Sequence, residues 1–169
     1  RIATDGDQDS FELRSGSAPF GLSAGPDGAM WFTAMGSGVV GRISLNGEID
    51  DVGVPGGMPS MITAGPDGAL WFTLNAANAI GRVEPSGVLT VRPVPTPGAG
   101  PVGIAATHDD AVWFAEILAD KLGRIPTDGD VATVVLPAGS EPPGLAIGAD
   151  GALWVALEDG HVLRLPTFE

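Results

Sequence analysis

The chain repeats one nine-residue stretch, and this repeat limits the folds that are open to it. Residues 65–73 read Gly-Pro-Asp-Gly-Ala-Leu-Trp-Phe-Thr, and residues 25–33 differ from them at one position. Weaker copies occupy residues 109–115 and 149–156. The four tryptophans all lie in these copies, at positions 31, 71, 113 and 154. A regular interval near forty residues is typical of a repeat protein, in which each unit stacks on its neighbours.

Each repeat predicts four short β-strands, here named a to d in chain order, and no helix is predicted. Strand b is the Trp run. Strand a is a short apolar run, at residues 20–24, 61–64, 102–106 and 144–147. Strand c carries an Arg followed by an apolar residue, at residues 42–43, 82–83, 124–125 and 164–165. Strand d follows at residues 48–54, 88–94 and 131–136.

The predicted strands are apolar on both faces. Side chains alternate along a strand, so Leu70 and Phe72 point one way and Trp71 points the other. A small sheet of this kind must be covered on both sides. Radial stacking does this, which predicts an all-β propeller of four-stranded antiparallel blades, with about four blades in this chain. A β-sandwich is the structural alternative, but it gives no reason for the Trp interval.

The strand count predicts incomplete blades at both ends of a single propeller segment. We expect repeats at 1–16 with strands c and d only, then 17–57, 58–100 and 101–141, and then 142–169 with strands a, b and c. In the first repeat, Arg1-Ile2 matches strand c and residues 10–13 match strand d. Open blades leave unpaired edges. We therefore expect further chain or a homodimer to complete the ring, unless the extra strand c is peripheral.

Several recurring polar residues are interpreted as structural. We expect turn chemistry rather than calcium binding for the turn carboxylates Asp27, Asp67, Asp128 and Asp150. We expect the recurring arginines of strand c to pair with turn carboxylates or carbonyls. His108 falls in an a–b turn and is interpreted as a surface residue.

Composition excludes several classes of partner. The net charge is −13 and Lys121 is the single lysine, so neither nucleic acid nor an anionic membrane surface is an expected partner. There is no Cys for disulfides or thiolate sites. No apolar run reaches transmembrane length, so we expect a soluble protein. The sequence does not indicate its compartment. The chain begins at Arg1 rather than Met, so we expect that an N-terminal segment is absent.

The repeat resembles that of the virginiamycin B lyase, or streptogramin B lyase, family. The residues that carry this resemblance are 64–73 followed by Ile80-Gly-Arg-Val83, and 113–116 followed by Leu122-Gly-Arg-Ile125. The resemblance implies a seven-bladed propeller longer than this chain. It also implies an antibiotic-resistance enzyme that opens a cyclic depsipeptide by elimination at the ester C–O bond, with bound Mg²⁺.

The resemblance further implies a His in a Glu-Pro-His-Gly stretch before a strand a, and a Glu and a second His after a following Trp-Phe strand. The matching stretch here reads Ser140-Glu-Pro-Pro-Gly144, so Pro143 stands at the His position. The Glu after the Trp strand is present as Glu116, whereas the other repeats carry Ala34, Leu74 and Leu157. After the last Trp, Glu158, Asp159 and His161 occupy shifted positions.

The b–c and d–a connections meet at one end of an antiparallel meander, and we expect the site there. The b–c and d–a connections are expected to be longer and less uniform than the opposite turns. Glu116 and Glu141 are candidate Mg²⁺ ligands, and Glu116 and His161 are candidate catalytic groups. Candidate ligand-contacting residues on these connections are Asn75, Asn78, Asp120, Lys121, Glu158 and Asp159.

Two functions follow. One is a divergent or partial member that acts as a scaffold for a small-molecule, peptide-like or protein ligand. The alternative is the Mg²⁺-dependent carbon–oxygen lyase, with Glu116 and Glu141 on the metal and His161 as base.

Overall fold

The computed structural model describes Gly6 and residues 8–166, and these residues form fifteen β-strands and no helix. Blade 1 contains β1 (Pro19–Ala24), β2 (Met30–Ala34), β3 (Val39–Ile43) and β4 (Ile49–Gly53). Blade 2 contains β5 (Ile62–Ala64), β6 (Leu70–Leu74), β7 (Ala79–Val83) and β8 (Leu89–Pro93). Blade 3 contains β9 (Pro101–Thr107), β10 (Ala111–Glu116), β11 (Lys121–Pro126) and β12 (Ala132–Val135). Blade 4 contains β13 (Gly144–Ile147), β14 (Leu153–Ala156) and β15 (Val162–Leu165).

Each blade is an antiparallel meander in chain order, with four strands in blades 1 to 3 and three in blade 4. The all-β prediction is confirmed. The predicted strand d at residues 10–13 is wrong, because these residues form no strand. A strand exists only where a neighbour supplies its hydrogen bonds, and local sequence does not reveal that neighbour. Arg1-Ile2 lies outside the described residues. No helix in the described chain could span a membrane.

The blades stack through the two apolar faces that side-chain alternation creates. Leu70 and Phe72 of blade 2 are buried in one core cluster with Trp31 and Val40 of blade 1. Trp71, on the opposite face of the same strand, is buried in a second cluster with blade 3 residues. A third cluster joins blades 3 and 4 in the same way. Each blade therefore has a forward face, marked by its Trp, and a backward face.

The recurring Arg and turn Asp residues form a repeated structural unit with the Trp. In blade 2, Asp67 accepts hydrogen bonds from Trp71 Nε1 at 3.0 Å and from Arg82 Nε at 2.7 Å. Burial raises the pKa of Asp67, but these two hydrogen bonds outweigh it and hold the pKa below its ordinary value. Asp27, Asp109 and Asp150 pair with the arginine of their own blade in the same place. The structural interpretation of the arginines is confirmed.

Candidate functional site

The b–c and d–a connections lie at one end of the blades, and together they are called the loop face. Its b–c turns are residues 35–38, 75–78, 117–120 and 157–161, and its d–a connections are residues 54–61, 94–100 and 136–143. The expectation of longer, less uniform connections is wrong for the b–c turns of blades 1 to 3. These turns have four residues in blades 1 to 3, because β2–β3, β6–β7 and β10–β11 pair to their ends. The d–a connections are the long ones, since they cross between blades.

Asn78 uses its side chain to hold the connection between blades 2 and 3. Its Nδ2 donates to the carbonyl oxygens of Val94, at 3.2 Å, and Thr96, at 2.9 Å. Its backbone has φ of +50°, in the left-handed region that Asn tolerates better than most residues. Asn75 Nδ2 also donates to a backbone carbonyl, that of Pro101, at 3.4 Å. Both predicted ligand-contacting asparagines therefore bind backbone of the loop face.

Asp120 holds the connection between blades 3 and 4 in a similar way. Its two carboxylate oxygens accept from the backbone N–H groups of Gly139, at 2.9 Å, and Glu141, at 2.8 Å. These bonds, chiefly the one from Glu141, lower the pKa of Asp120 below its ordinary value. Sequence position gave no sign of this role, because the paired groups lie about twenty residues apart in the chain. The pairing fixes the backbone that carries Glu141.

Glu116 is buried at the end of β10, at the position of the apolar Ala34 and Leu74 in the earlier blades. Neither carboxylate oxygen has a hydrogen-bond partner among the described residues. Burial raises the pKa of Glu116, and the nearby Thr96 side chain and the Lys121 charge oppose this shift only in part. Lys121, the Cα partner of Glu116 in the strand ladder, is half-buried. A buried, unpaired carboxyl is costly and suggests a functional reason for its presence.

The remaining candidates lie together at the loop face of blade 4. Glu141 and Glu158 are exposed on neighbouring connections, which are joined by a hydrogen bond from Glu158 N to Ser140 O at 2.9 Å. His161 is exposed, and its Nδ1 lies 3.0 Å from Asp159 Oδ1. The sequence argument paired Glu141 with Glu116. The structure brings Glu141 close to the Glu158 turn, a neighbour that only the blade 3–blade 4 crossing reveals.

Comparison with known proteins assigns these features to one family. The sequence profile of the virginiamycin B lyase family matches residues 1–140, which is most of the chain. The chain belongs to the virginiamycin B lyase family. A profile described as strictosidine synthase-like, N-terminal, matches the shorter segment 129–165. Virginiamycin B lyase of Mycolicibacterium smegmatis is 77% identical over 30 residues, which are 18% of this chain and 11% of that protein.

Solved structures of the family superpose on nearly the whole chain. Virginiamycin B lyase from Staphylococcus aureus has 38% sequence identity and a TM-score of 0.89, over 98% of this chain and 61% of its own. A catalytically inactive variant of that enzyme with quinupristin gives a TM-score of 0.88, with the same identity and coverage. A streptogramin B lyase structure has 32% identity and a TM-score of 0.88, over 99% of this chain and 61% of its own. The chain thus spans about three-fifths of the length of these solved lyases.

The described residues do not by themselves fit the Mg²⁺ that membership of the virginiamycin B lyase family implies. Carboxylates are suitable oxygen donors for Mg²⁺, and neither oxygen of the buried Glu116 carboxylate is hydrogen-bonded to another described residue. However, no group of three or more His, Cys, Asp or Glu side chains in the described chain is arranged to hold a metal. The predicted sharing of Mg²⁺ between Glu116 and Glu141 stays a prediction, and we derive no chemical step through the metal.

The opposite end of the blades carries the short a–b and c–d turns. His108 is exposed in the turn between β9 and β10, and Asp128 is exposed in the turn between β11 and β12. Both residues are therefore at the other end of the molecule from the loop face. They offer matched control positions for experiments on the loop face.

Proposed function

We propose that this virginiamycin B lyase-like propeller segment binds a peptide-like small molecule on its loop face, and that its own residues do not carry out the lyase reaction. The observation that carries the proposal is the use of Asn78 and Asp120 to fix the backbone of the d–a connections. A surface held in this way is formed before the ligand arrives, which reduces the entropy lost on binding.

The residue at the family's His position supports binding without catalysis. Pro143 has no side-chain group that takes or gives a proton, and the stretches before strand a in the other repeats contain no His. His161 is the one histidine on the described loop face. It is exposed, and its ring contacts the Asp159 carboxylate. A buried environment distinguishes a general base from a surface histidine, and His161 lacks that environment.

The ligand class follows from the relatives and from the charge of the surface. The quinupristin bound in the related lyase structure makes streptogramin B compounds the first ligands to test. The exposed Glu141, Glu158 and Asp159 make the blade 4 part of the loop face acidic, in a chain of net charge −13. A neutral or cationic ligand therefore suits this surface better than an anionic one.

Titration calorimetry with virginiamycin B, combined with mass spectrometry of the ligand after incubation, tests this proposal. We expect saturable binding with the ring of the ligand intact. Glu158→Gln should weaken binding about tenfold if its carboxylate makes a charge-assisted contact with the ligand. Asp128→Asn removes the same charge at the opposite end and should leave binding unchanged. Ring-opened product at catalytic turnover would contradict the proposal, and so would the absence of binding.

The lyase itself is a second candidate, and Glu116 is the observation that favours it. A buried carboxyl with unpaired oxygens and a raised pKa is the kind of group that active sites use as an acid, base or metal ligand. This candidate predicts ring-opened virginiamycin B in the presence of Mg²⁺. Loss of a general acid or base costs about 10²–10⁴-fold in rate, so Glu116→Gln should abolish detectable product. Product formation that is unchanged in Glu116→Gln would remove Glu116 from the reaction.

A further inference from the structure

Among the three described strands d, the strand of blade 2 carries an arginine at a position where the other two carry a valine. Val52 in blade 1 and Val134 in blade 3 lie at the same register of the strand ladders as Arg92 in blade 2. Both valines pack against the core cluster between their own blade and the next one. Arg92 therefore brings a charged group to an interface that is apolar in the neighbouring blades.

The Arg92 side chain lies in a groove at the outer rim between blades 2 and 3. Its Cζ is 5.7 Å from the centroid of the Trp71 ring, and its Nη1 donates to the carbonyl oxygen of Gly129, in the c–d turn of blade 3, at 3.2 Å. The Cζ of Arg82 lies 6.0 Å from the same ring centroid, so one indole accepts two guanidinium groups. The groove, of about 590 Å³, is lined by Arg92 rather than by Trp71. An aromatic ring and a carbonyl oxygen are the contacts that suit a guanidinium group.

The equivalent groove between blades 1 and 2 has Val52 in the place of Arg92. Its volume is about 520 Å³, and its lining includes Val52, Trp31 and the c–d turn at residues 85–87. An added Cβ on Gly87 would lie 3.8 Å from Val52 Cγ2, so Val52 stands beside this turn as Arg92 stands beside the next one. The shorter side chain leaves this groove open as far as Trp31, whereas its counterpart ends at Arg92.

Blade 1 also places an additional carboxylate at this groove. Asp50 lies opposite Arg42 in the strand ladder, where blades 2 and 3 carry the uncharged Thr90 and Ala132. Its carboxylate is 3.9 Å from the Arg42 guanidinium, and its side chain is 79% exposed. The groove that has no arginine from strand d is thus the one that has an exposed acidic group.

The charged groups of this groove favour a cation. Its lining holds three carboxylates, those of Asp27, Asp50 and Asp51, and the single guanidinium of Arg42. Asp27 pairs with Arg42, and Asp51 pairs with Arg14 at 3.0 Å. Asp50 has the most exposed of the three carboxylates, so it is the one best placed to meet a cationic ligand.

We propose that the groove between blades 1 and 2 binds a guanidinium group, carried either by an arginine side chain of a polypeptide or by a small guanidinium compound. The bound group lies beside the Trp31 ring, donates to a carbonyl oxygen of the turn at 85–87 and meets the Asp50 carboxylate. The first two contacts are those that Arg92 makes one blade later. The a–b turn with Asp27 and the turn at 85–87 place the groove at the opposite end from the loop face. The proposal is therefore independent of the proposed function.

Nuclear magnetic resonance of the indole N–H groups tests the proposal. Trp31 Nε1 donates to Asp27 at 3.0 Å beside the groove, and Trp31→Phe assigns its signal. The probes are acetyl-arginine amide, the peptide Gly-Gly-Arg-Gly-Gly and the uncharged acetyl-citrulline amide. We expect a saturable shift of the Trp31 signal with both arginine probes and none with the citrulline probe. Tighter binding of the peptide supports a polypeptide as the source of the group, and equal binding supports a small compound.

Exchanging the strand d residues between the blades gives the decisive result. Val52→Arg supplies the groove with its own guanidinium group and should weaken binding of both arginine probes about tenfold or more. Arg92→Val opens the groove between blades 2 and 3 and should produce a second saturable shift, at the Trp71 indole. Each variant carries a residue that the chain itself has at the equivalent position, so folding should be retained, and circular dichroism checks this.

The contribution of the acidic group is tested separately. Asp50→Asn should weaken binding about twofold to fivefold, as expected for an exposed ion pair. Asp128→Asn removes the same charge from the c–d turn of blade 3 and should leave binding at Trp31 unchanged. The absence of a Trp31 shift with both arginine probes would overturn the proposal. An equal response to the citrulline probe, or binding that Val52→Arg leaves unchanged, would overturn it as well.

Discussion

Blades 2 and 4 are built from nearly the same repeat, yet they differ in what each buries. In blade 2, Leu70 and Phe72 are covered by blade 1, and Trp71 and Ile80 are covered by blade 3. In blade 4, Leu153 and Val155 are covered by blade 3, whereas Trp154 on the other face is partly exposed. The difference teaches that a residue in a repeat protein is buried by its neighbouring unit, and not by the unit that carries it.

A second difference lies inside the blades. In blades 1 to 3, a Phe on strand b lies opposite a Gly on strand c, as Phe72 lies opposite Gly81. An added Cβ on Gly81 would lie 2.1 Å from Phe72 Cζ, so the ring occupies the space of a side chain. Blade 4 has Val155 opposite Leu163 at this place. In blade 4 the side chain on strand b is smaller and the side chain on strand c is larger, so the two together still fill the space.

The largest expected effect comes from truncating the Trp of each blade. Trp71→Ala should lower the free energy of unfolding by about 3–5 kcal/mol, because it leaves a cavity between two blades. Trp154→Ala should cost roughly half as much, since this side chain is already partly in water. Urea denaturation measures both losses. Equal losses would show that the two faces are equally covered in solution.

The Phe–Gly pair gives the next largest effect. Gly81→Ala should destabilise the protein by about 1–3 kcal/mol, because the new methyl group overlaps the Phe72 ring. Combining Phe72→Val with Gly81→Leu gives blade 2 the Val–Leu pair that blade 4 has at this place. The double variant should be more stable than the sum of the single changes predicts, by about 1 kcal/mol or more.

Gly53 provides the control for this pair, since nothing lies within 4 Å of an added Cβ at this strand glycine. Gly53→Ala should therefore leave the denaturation midpoint nearly unchanged. Additive effects in the double-mutant cycle would contradict the exchange of volume between the two positions.

A smaller, pH-dependent effect distinguishes the turn carboxylates. The pKa of Asp67 is held below its ordinary value of 3.8, so the folded protein binds fewer protons at this group than the unfolded chain does. Its stabilising effect is therefore present above pH 3.8 and is lost as the pH falls through the folded-state value. Asp67→Asn should cost about 1 kcal/mol at neutral pH, and the difference from the unsubstituted chain should shrink in acid.

The same change at Asp150 sharpens the comparison of blades. Asp150 accepts from Arg164 Nη2 at 2.6 Å, but both side chains are exposed to solvent. Asp150→Asn should therefore destabilise the protein less than Asp67→Asn does. Denaturation at several pH values between neutral and 3 measures the two. A larger loss at Asp150 would contradict the view that burial strengthens these pairs.

The smallest effect is spectroscopic. Acrylamide should quench Trp154 more readily than the three buried indoles. Trp154→Phe should remove the accessible fraction of the emission, and Trp113→Phe should leave that fraction in place.

The sequence by itself determined the repeat, the strands and the stacking. The Trp interval fixed the unit, and the alternation around Trp71 required cover on two faces. Local turn chemistry at Asp67 was sufficient to interpret the recurring Arg as its partner. These inferences succeed because they depend on residues close together in the chain, where backbone geometry sets the distances.

Only the tertiary structure decided how the loop face is used. Asp120 reaches the backbone of Gly139 and Glu141 because two blades meet there. Glu116 is buried at an apolar position of the repeat, and neither of its carboxylate oxygens has a hydrogen-bond partner among the described residues. Residues 10–13 have a strand-like sequence but form no strand. Burial, pairing and exposure depend on which distant segments come together, and a pattern of residue types along one chain does not contain that information.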